Sequence, residues 1–176
     1  SINVENKADM FVGEYNAFAN SAFKGEPDEE WVVNITADNS VPNKIWIQPI
    51  CLFGGLEASD INPVYATYDV AKGTLTMPLG QTLFQQEGTY QMIIGTSVDG
   101  SNIDTTGSIE MQVTQSNEGI TISFASDCVI GVGNAIGNEW WYQALMNVTL
   151  TRSINVENKV AMFVGEYNAF ANSAFK

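Results

Sequence analysis

Three adjacent aromatic residues near the end of the chain, Trp140, Trp141 and Tyr142, have the clearest potential for binding chemistry. They follow residues 125–138, a glycine-rich stretch that predicts a flexible loop. Flat aromatic rings stack on sugar rings and line sites for small apolar ligands. An alternative is that one of the two tryptophans plugs the core, because neighbouring strand residues face opposite sides. The trio is therefore a candidate ligand-binding site.

Hydrolytic chemistry has no residues to support it. The chain contains no histidine, which excludes the Ser-His and Cys-His pairs of nucleophilic catalysis. No pattern places two carboxylates on adjacent strands, as a paired-acid mechanism needs. The sequence predicts a protein that is not an enzyme and that uses no cofactor.

Two acidic clusters, residues 26–30 and residues 99–104, are candidate metal sites. Calcium binds clustered carboxylates, but the second cluster lacks the closing glutamate of a calcium loop. A solvated turn before a strand explains the first cluster, and a hairpin tip explains the second. We therefore predict no metal site.

The charge of the chain limits its partners. There are 20 acidic and 7 basic residues, a net charge of −13. Such a surface repels phosphate backbones, so we predict no nucleic-acid binding. No apolar run approaches the roughly 20 residues of a membrane-spanning helix, and we predict no membrane span.

The two cysteines, Cys51 and Cys128, lie outside any CxxC pattern. The sequence is compatible both with a disulfide between them and with two buried free thiols.

The chain also contains a near-exact internal copy. Residues 1–24 return as residues 153–176, with differences only at Ala8/Val160 and Asp9/Ala161. The intervening length suits one domain with a full core, whereas 24 residues do not. We predict one domain, residues 1–152, followed by an appended copy, residues 153–176. A tandem array, an engineered duplication and donor-strand assembly would each produce this pattern.

The body of the domain has a β-strand pattern. Short runs of alternating or apolar residues are separated by turn residues at intervals near ten, which predicts an all-β, antiparallel, up-and-down barrel of about eight to ten strands. The predicted strands cover residues 31–36, 44–53, 64–69, 74–77, 90–97, 108–114, 120–124 and 140–151. Closing into a barrel hides the strand edges.

The copied segment allows two conformations. Phe11, Tyr15 and Phe18 have helical spacing, but Tyr15, Ala17 and Ala19 share one face of a strand. We predict a strand that pairs with residues 140–151, with the N-terminal copy in that position. The C-terminal copy follows Arg152 directly and would reach the same position only through a tight turn, so we expect it to pair with a neighbouring molecule.

Several segments together resemble the secreted lipocalin-like modules of gut Bacteroidetes. These segments are GEY at 13–15, SAF at 21–23, EEWVVNI at 29–35, VYATYD at 64–69, GTLTMPLGQ at 73–81, WY at 141–142 and LTR at 150–152. The resemblance implies a small β-barrel exported to the periplasm or cell surface, commonly as a lipoprotein. Departures are the absent lipid-anchor cysteine near the start and the terminal duplication. Residues 104–106 also resemble an O-glycosylation signal of exported proteins from this group.

Two functions follow from these features. The first is a cell-envelope binding module that holds a small apolar or glycan ligand at the barrel mouth through Trp140, Trp141 and Tyr142. The alternative is a structural subunit that links barrels by strand swapping or donor-strand pairing. In that case self-association depends on the apolar residues of the C-terminal copy, Phe163, Tyr167, Phe170 and Phe175.

Overall fold

A computed structural model describes residues 5–53, 55–86, 88–95, 103–104, 106–124, 129–134 and 141–153. Twelve strands run through these residues, with two short 3-10 turns at Ala8–Phe11 and Ala58–Asp60. The strands are β1 Gly13–Ser21, β2 Glu29–Ala37, β3 Lys44–Gln48, β4 Val64–Asp69, β5 Thr74–Pro78, β6 Thr82–Gln86, β7 Gly88–Gly95, β8 Ile103–Asp104, β9 Ser108–Gln115, β10 Gly119–Phe124, β11 Val129–Asn134 and β12 Trp141–Ser153. Each described pairing is antiparallel, as predicted.

Eight of the strands close into a barrel. Around the ring, β1 is followed by β2, β3, β4, β5, β9, β10 and β12, and β12 pairs with β1. These strands have the same order along the chain, so the ring is an up-and-down meander with insertions after β5 and after β10. Each ring strand has a partner on both sides, which leaves no open edge in the wall. The predicted barrel is confirmed.

The inserted strands lengthen one side of the barrel. Residues 149–153 of β12 pair with β10, whereas residues 141–145 pair with β11. Beyond β11 come β7 and then β6. Because all pairs are antiparallel, β6 continues the direction of β5, and β11 continues that of β10. We call β6, β7, β11 and residues 141–145 the extension.

The extension rises from one end of the ring. β1 ends at Ser21, which lies opposite Leu145, and the Ala22 amide donates to the Ala144 carbonyl at 2.8 Å. The residues of β12 before Ala144 therefore continue past the end of β1. We call this end of the ring the upper rim, and the opposite end, where β1 begins at Gly13, the lower rim.

The core follows from alternation along the strands. In β2, Trp31, Val33 and Ile35 are buried, and the residues between them are exposed. In β1, Ala17 lies opposite Trp31, so a small residue makes room for a large one. Tyr15 and Ala19 are buried on the same face, which confirms the strand predicted for the N-terminal copy.

The lower rim is closed by residues 5–12, which we call the plug. The plug contains the 3-10 turn Ala8–Phe11, the only helical part of the N-terminal copy within the described residues. Ala8 and Phe11 are fully buried, and the Phe11 ring meets the edge of Tyr68 at 4.9 Å between centroids. Helical spacing in this copy therefore reflects one turn that ends before Gly13.

Two sequence predictions need correction. Residues 125–138 were expected to form a loop, but β11 occupies Val129–Asn134 and pairs on both sides. The predicted strand at residues 44–53 ends at Gln48, directly before Pro49, which has no N–H to continue the ladder.

The strand position beside β12 is occupied by the N-terminal copy, as predicted. The described residues contain no helix with the length and apolar character needed to cross a membrane.

Candidate functional site

A polar pair of side chains lies at the upper rim of the barrel. Gln143, on β12, donates a hydrogen bond from its Nε2 to Oε2 of Glu29, on β2. β1 lies between these two strands, and Ala19 stands opposite Glu29 in its ladder. Alanine is too short to screen one polar side chain from the other.

The Gln143 amide has an unused acceptor. Gln143 is only 8% exposed, and its Oε1 has no hydrogen-bond partner among the described residues. A buried amide oxygen without a partner is costly, and in native proteins a water or ligand donor often satisfies such a group. With the Glu29 carboxylate beside it, the upper rim offers acceptors for a ligand that carries hydroxyl or N–H donors.

The described residues beneath this pair leave little open space between them. A cavity of about 10 Å³ lies there, which is room for about one water molecule. Its walls are apolar and come from three parts of the barrel: Ile50, Cys51, Phe124, Ile130, Gly131, Leu145 and Val148. This cavity cannot admit an apolar ligand into the interior.

The predicted aromatic trio directly precedes Gln143 in the sequence. Trp141 and Tyr142 belong to the first residues of β12, and the Trp141 backbone pairs with Gly133 of β11. Their side chains, and the whole of Trp140, lie outside the described residues. The structure thus places the backbone of two predicted residues in the extension, immediately before Gln143.

Glycine in β11 has a structural reason other than loop flexibility. A Cβ on Gly131 would lie 1.9 Å from the Gln143 carbonyl oxygen, which is far inside contact distance. Only glycine allows the backbones of β11 and β12 to approach this closely. Gly131 therefore forms part of the wall of the extension, beside the backbone of Gln143.

Sequence reasoning missed Glu29 and Gln143. The alternation of β2 does point to Glu29. The inward-facing residues Ile35, Val33 and Trp31 are two positions apart, and the next position in this series is Glu29. Glu29 also belongs to the acidic cluster at residues 26–30, which obscures this signal in the sequence. The structure divides that cluster, since Asp28 accepts a hydrogen bond from Asn20 at 2.9 Å on the outside.

Cys51 is a buried, free thiol below the polar pair. Burial raises its pKa well above the ordinary value, and the nearby Glu29 carboxylate raises it further. The thiolate is therefore strongly disfavoured, so this buried thiol is a poor nucleophile. Cys128 lies outside the described residues.

A second aromatic cluster lies on the outer wall. The edge of Trp46 meets the Tyr65 ring at 5.7 Å between centroids, beside a groove of about 340 Å³ lined by Asn34, Thr36, Gln48 and Pro63. The Lys44 ammonium lies over both rings, 4.3 Å and 4.7 Å from their centroids, and pairs with Asp38. Lys44 therefore covers part of the stacking surface of both rings.

The predicted assembly residues Phe163, Tyr167, Phe170 and Phe175 lie outside the described residues. Their equivalents in the N-terminal copy are Phe11, Tyr15, Phe18 and Phe23. The first two equivalents are fully buried, and Phe23 is 38% exposed. When the segment is inserted, Phe11 and Tyr15 therefore serve the barrel interior, whereas Phe18 and Phe23 do not.

No group of three or more potential metal ligands comes together within the described ranges. Residues 99–102 of the second acidic cluster lie outside those ranges, and Asp104 belongs to β8. Comparisons with protein-family models, with curated proteins and with solved structures gave no match.

Proposed function

We propose that this protein is a non-enzymatic binding module of the bacterial cell envelope that holds a small glycan at the upper rim of its barrel. The observation that carries the proposal is that the Oε1 of buried Gln143, beside the Glu29 carboxylate, has no hydrogen-bond partner in the described part of the chain. Sugar hydroxyls are suitable donors to both groups. The two aromatic residues that precede Gln143 in β12 supply stacking surface for the sugar ring.

A glycan fits this geometry better than the apolar ligand that the sequence also allows. The plug closes the lower rim, and the described cavity below Gln143 holds about 10 Å³. A buried apolar ligand needs a cavity of several hundred Å³. A glycan that reaches Gln143 from the upper rim does not have to enter that cavity.

Titration with soluble oligosaccharides tests the proposal. Cello-, xylo- and manno-hexaose are added to the protein, and tryptophan fluorescence is followed. 8-Anilinonaphthalene-1-sulfonate, an anionic dye that binds apolar sites, serves as a separate probe. We expect a saturable change with at least one hexaose, lost in Trp141→Ala and weakened about tenfold in Gln143→Leu, the cost of about one hydrogen bond.

Trp46→Phe is the matched control, because it removes a tryptophan from the outer wall and leaves the upper rim intact. It should keep the hexaose response. A response that Trp46→Phe abolishes, or a Trp141-dependent response to the dye with none to any hexaose, would contradict the proposal.

A second candidate function is a structural subunit that links barrels through the C-terminal copy. The observation that favours it is that β1 is itself part of the duplicated segment and lies between β2 and β12. A second copy of such a strand can pair with any barrel that has this position open. Concentration-dependent oligomers on a sizing column would support this function, and a monomer at all concentrations would oppose it.

A further inference from the structure

The C-terminal copy matches the β1 position residue for residue. With an offset of 152, residues 165–173 repeat all of β1, and residues 160–163 repeat the 3-10 turn. The only replacements, Val160 and Ala161, lie in the plug equivalent and not in the strand. Every β1 side chain that contacts β2 or β12 is therefore present in both copies.

The special backbone requirement of β1 is also met by the copy. Gly13 has a φ of +142°, and a Cβ there would lie 3.0 Å from Nη1 of Arg152. The copy has Gly165 at this position. Ala17, which fits opposite Trp31, is matched by Ala169.

The connection from β12 is long enough for the copy to enter its own barrel. β12 ends at Ser153 on the lower rim, where β1 begins. Residues 154–164 would bridge to the copied strand and can span up to about 35–40 Å. Adjacent strands are only about 4.8 Å apart. The tight turn expected from the sequence is thus not needed, because β1 starts at Gly13 and not at the first residue of the copy.

We propose that residues 153–176 compete with residues 1–24 for the β1 position of their own barrel, so that the chain has two interchangeable folded arrangements. In the first arrangement the N-terminal copy is inserted, as observed, and in the second the C-terminal copy replaces it. A tethered competitor has an effective concentration near the millimolar range, well above the concentration of neighbouring chains in dilute solution. Exchange within one chain is therefore favoured over exchange between chains.

The plug determines which arrangement dominates. The loop that joins β1 to β2 in the first arrangement, residues 22–28, and the segment 154–164 differ in closure probability by only about twofold. Ala8 is fully buried, whereas the copy would place the larger Val160 in the same site. Overpacking of this kind disfavours the second arrangement by roughly one to two orders of magnitude.

The test places one charged residue in each copy of the full-length chain. Ala17 is 3% exposed, so Ala17→Arg prevents insertion of the N-terminal copy, and Ala169→Arg is the matched change in the C-terminal copy. We expect Ala17→Arg to unfold cooperatively at a lower temperature and Ala169→Arg to behave like the parent. The double variant should lose the cooperative transition. Adding Val160→Ala and Ala161→Asp to Ala17→Arg should bring its melting temperature close to that of the parent.

Two further measurements locate the inserted copy. Asn16 and Thr151 are exposed partners across β1 and β12, and Asn168 is the copy of Asn16. In the Ala17→Arg chain, Thr151→Cys with Asn168→Cys should give a crosslink within one chain, identified by mass spectrometry. Sedimentation of Ala17→Arg at about 10 μM, far below the effective concentration of the tethered copy, should show a monomer.

Two results would overturn the proposal. If Ala17→Arg unfolds as completely as the double variant, the second copy does not insert. If Ala17→Arg folds only as a dimer, with the crosslink between chains, the copy inserts into a neighbour and not into its own barrel.

Discussion

The guanidinium of Arg152, near the end of the last strand, lies over the ring of Tyr15 in the first strand, 5.4 Å from its centroid. The same guanidinium donates from Nη2 to the Met10 carbonyl at 2.7 Å and from Nη1 to the Val12 carbonyl. The Arg152 side chain therefore connects the last strand, β12, with the first strand, β1, and with the plug. Because Gly13 has no Cβ, the Arg152 side chain has room to pass beside it.

Arg152→Met should lower the free energy of unfolding by about 2 kcal/mol, because two hydrogen bonds from a charged donor to plug carbonyls are lost. Chemical unfolding followed by tryptophan fluorescence measures the change. Arg152→Lys keeps the charge, but its ammonium group lacks the planar fork that reaches both carbonyls. Its free energy of unfolding should therefore lie between those of the parent and Arg152→Met. Equal stability of all three proteins would show that the plug does not depend on this residue.

Asn43 should also stabilise the plug, through hydrogen bonds to its backbone. Its Oδ1 accepts from the Lys7 amide at 2.6 Å, and its Nδ2 donates to the Glu5 carbonyl at 3.0 Å. Asn43 also has a φ of 61°, which glycine adopts without strain. Asn43→Gly therefore isolates the loss of the side-chain bonds, and we expect a cost of about 1–3 kcal/mol.

Hydrogen exchange provides the direct measurement for Asn43→Gly. The Lys7 amide should exchange faster in the variant, while amides in the middle of β2 keep their order of protection. Unchanged exchange at Lys7 would contradict the assignment.

Tyr15 should make the protein sensitive to alkali. Burial raises the pKa of its hydroxyl to about 12, and the nearby Arg152 charge partly offsets that rise. In the unfolded chain a tyrosine ionises near pH 10, so between about pH 10 and 12 the folded state binds more protons and stability falls as pH rises. Tyr15→Phe should show a shallower fall in melting temperature from pH 9 to 11.5.

At neutral pH, Tyr15→Phe should be neutral or slightly stabilising. The Tyr15 hydroxyl is buried and has no hydrogen-bond partner among the described residues. Removing a buried polar group without a partner removes a desolvation cost. A large loss of stability at pH 7 would show that the hydroxyl has a partner.

Deleting residues 153–176 should leave a folded monomer with little change in melting temperature. The N-terminal copy already fills the position between β2 and β12, so the remaining chain keeps every described contact of β1. Differential scanning calorimetry and sedimentation measure the outcome. If the truncated chain unfolds, the C-terminal copy holds the position instead.

Local pattern was enough to predict most of the barrel wall. Alternation in residues 31–36 and 64–69 located β2 and β4, because a wall strand with one buried face has a period of two. The face shared by Tyr15, Ala17 and Ala19 likewise identified β1. Local pattern does not identify β11, because its glycines resemble a loop signal, whereas Gly131 is required by the close approach of the β12 backbone.

By itself the sequence determined the all-β class, the closed meander, the duplication and the absence of histidine-dependent chemistry, because composition and alternation are properties of short stretches. Only the tertiary structure decided that Glu29 meets Gln143 and that Arg152 reaches the plug. These pairs are more than 100 residues apart, as their separations of 114 and 142 show. Their proximity depends on strand order and register around the ring, which no local pattern encodes.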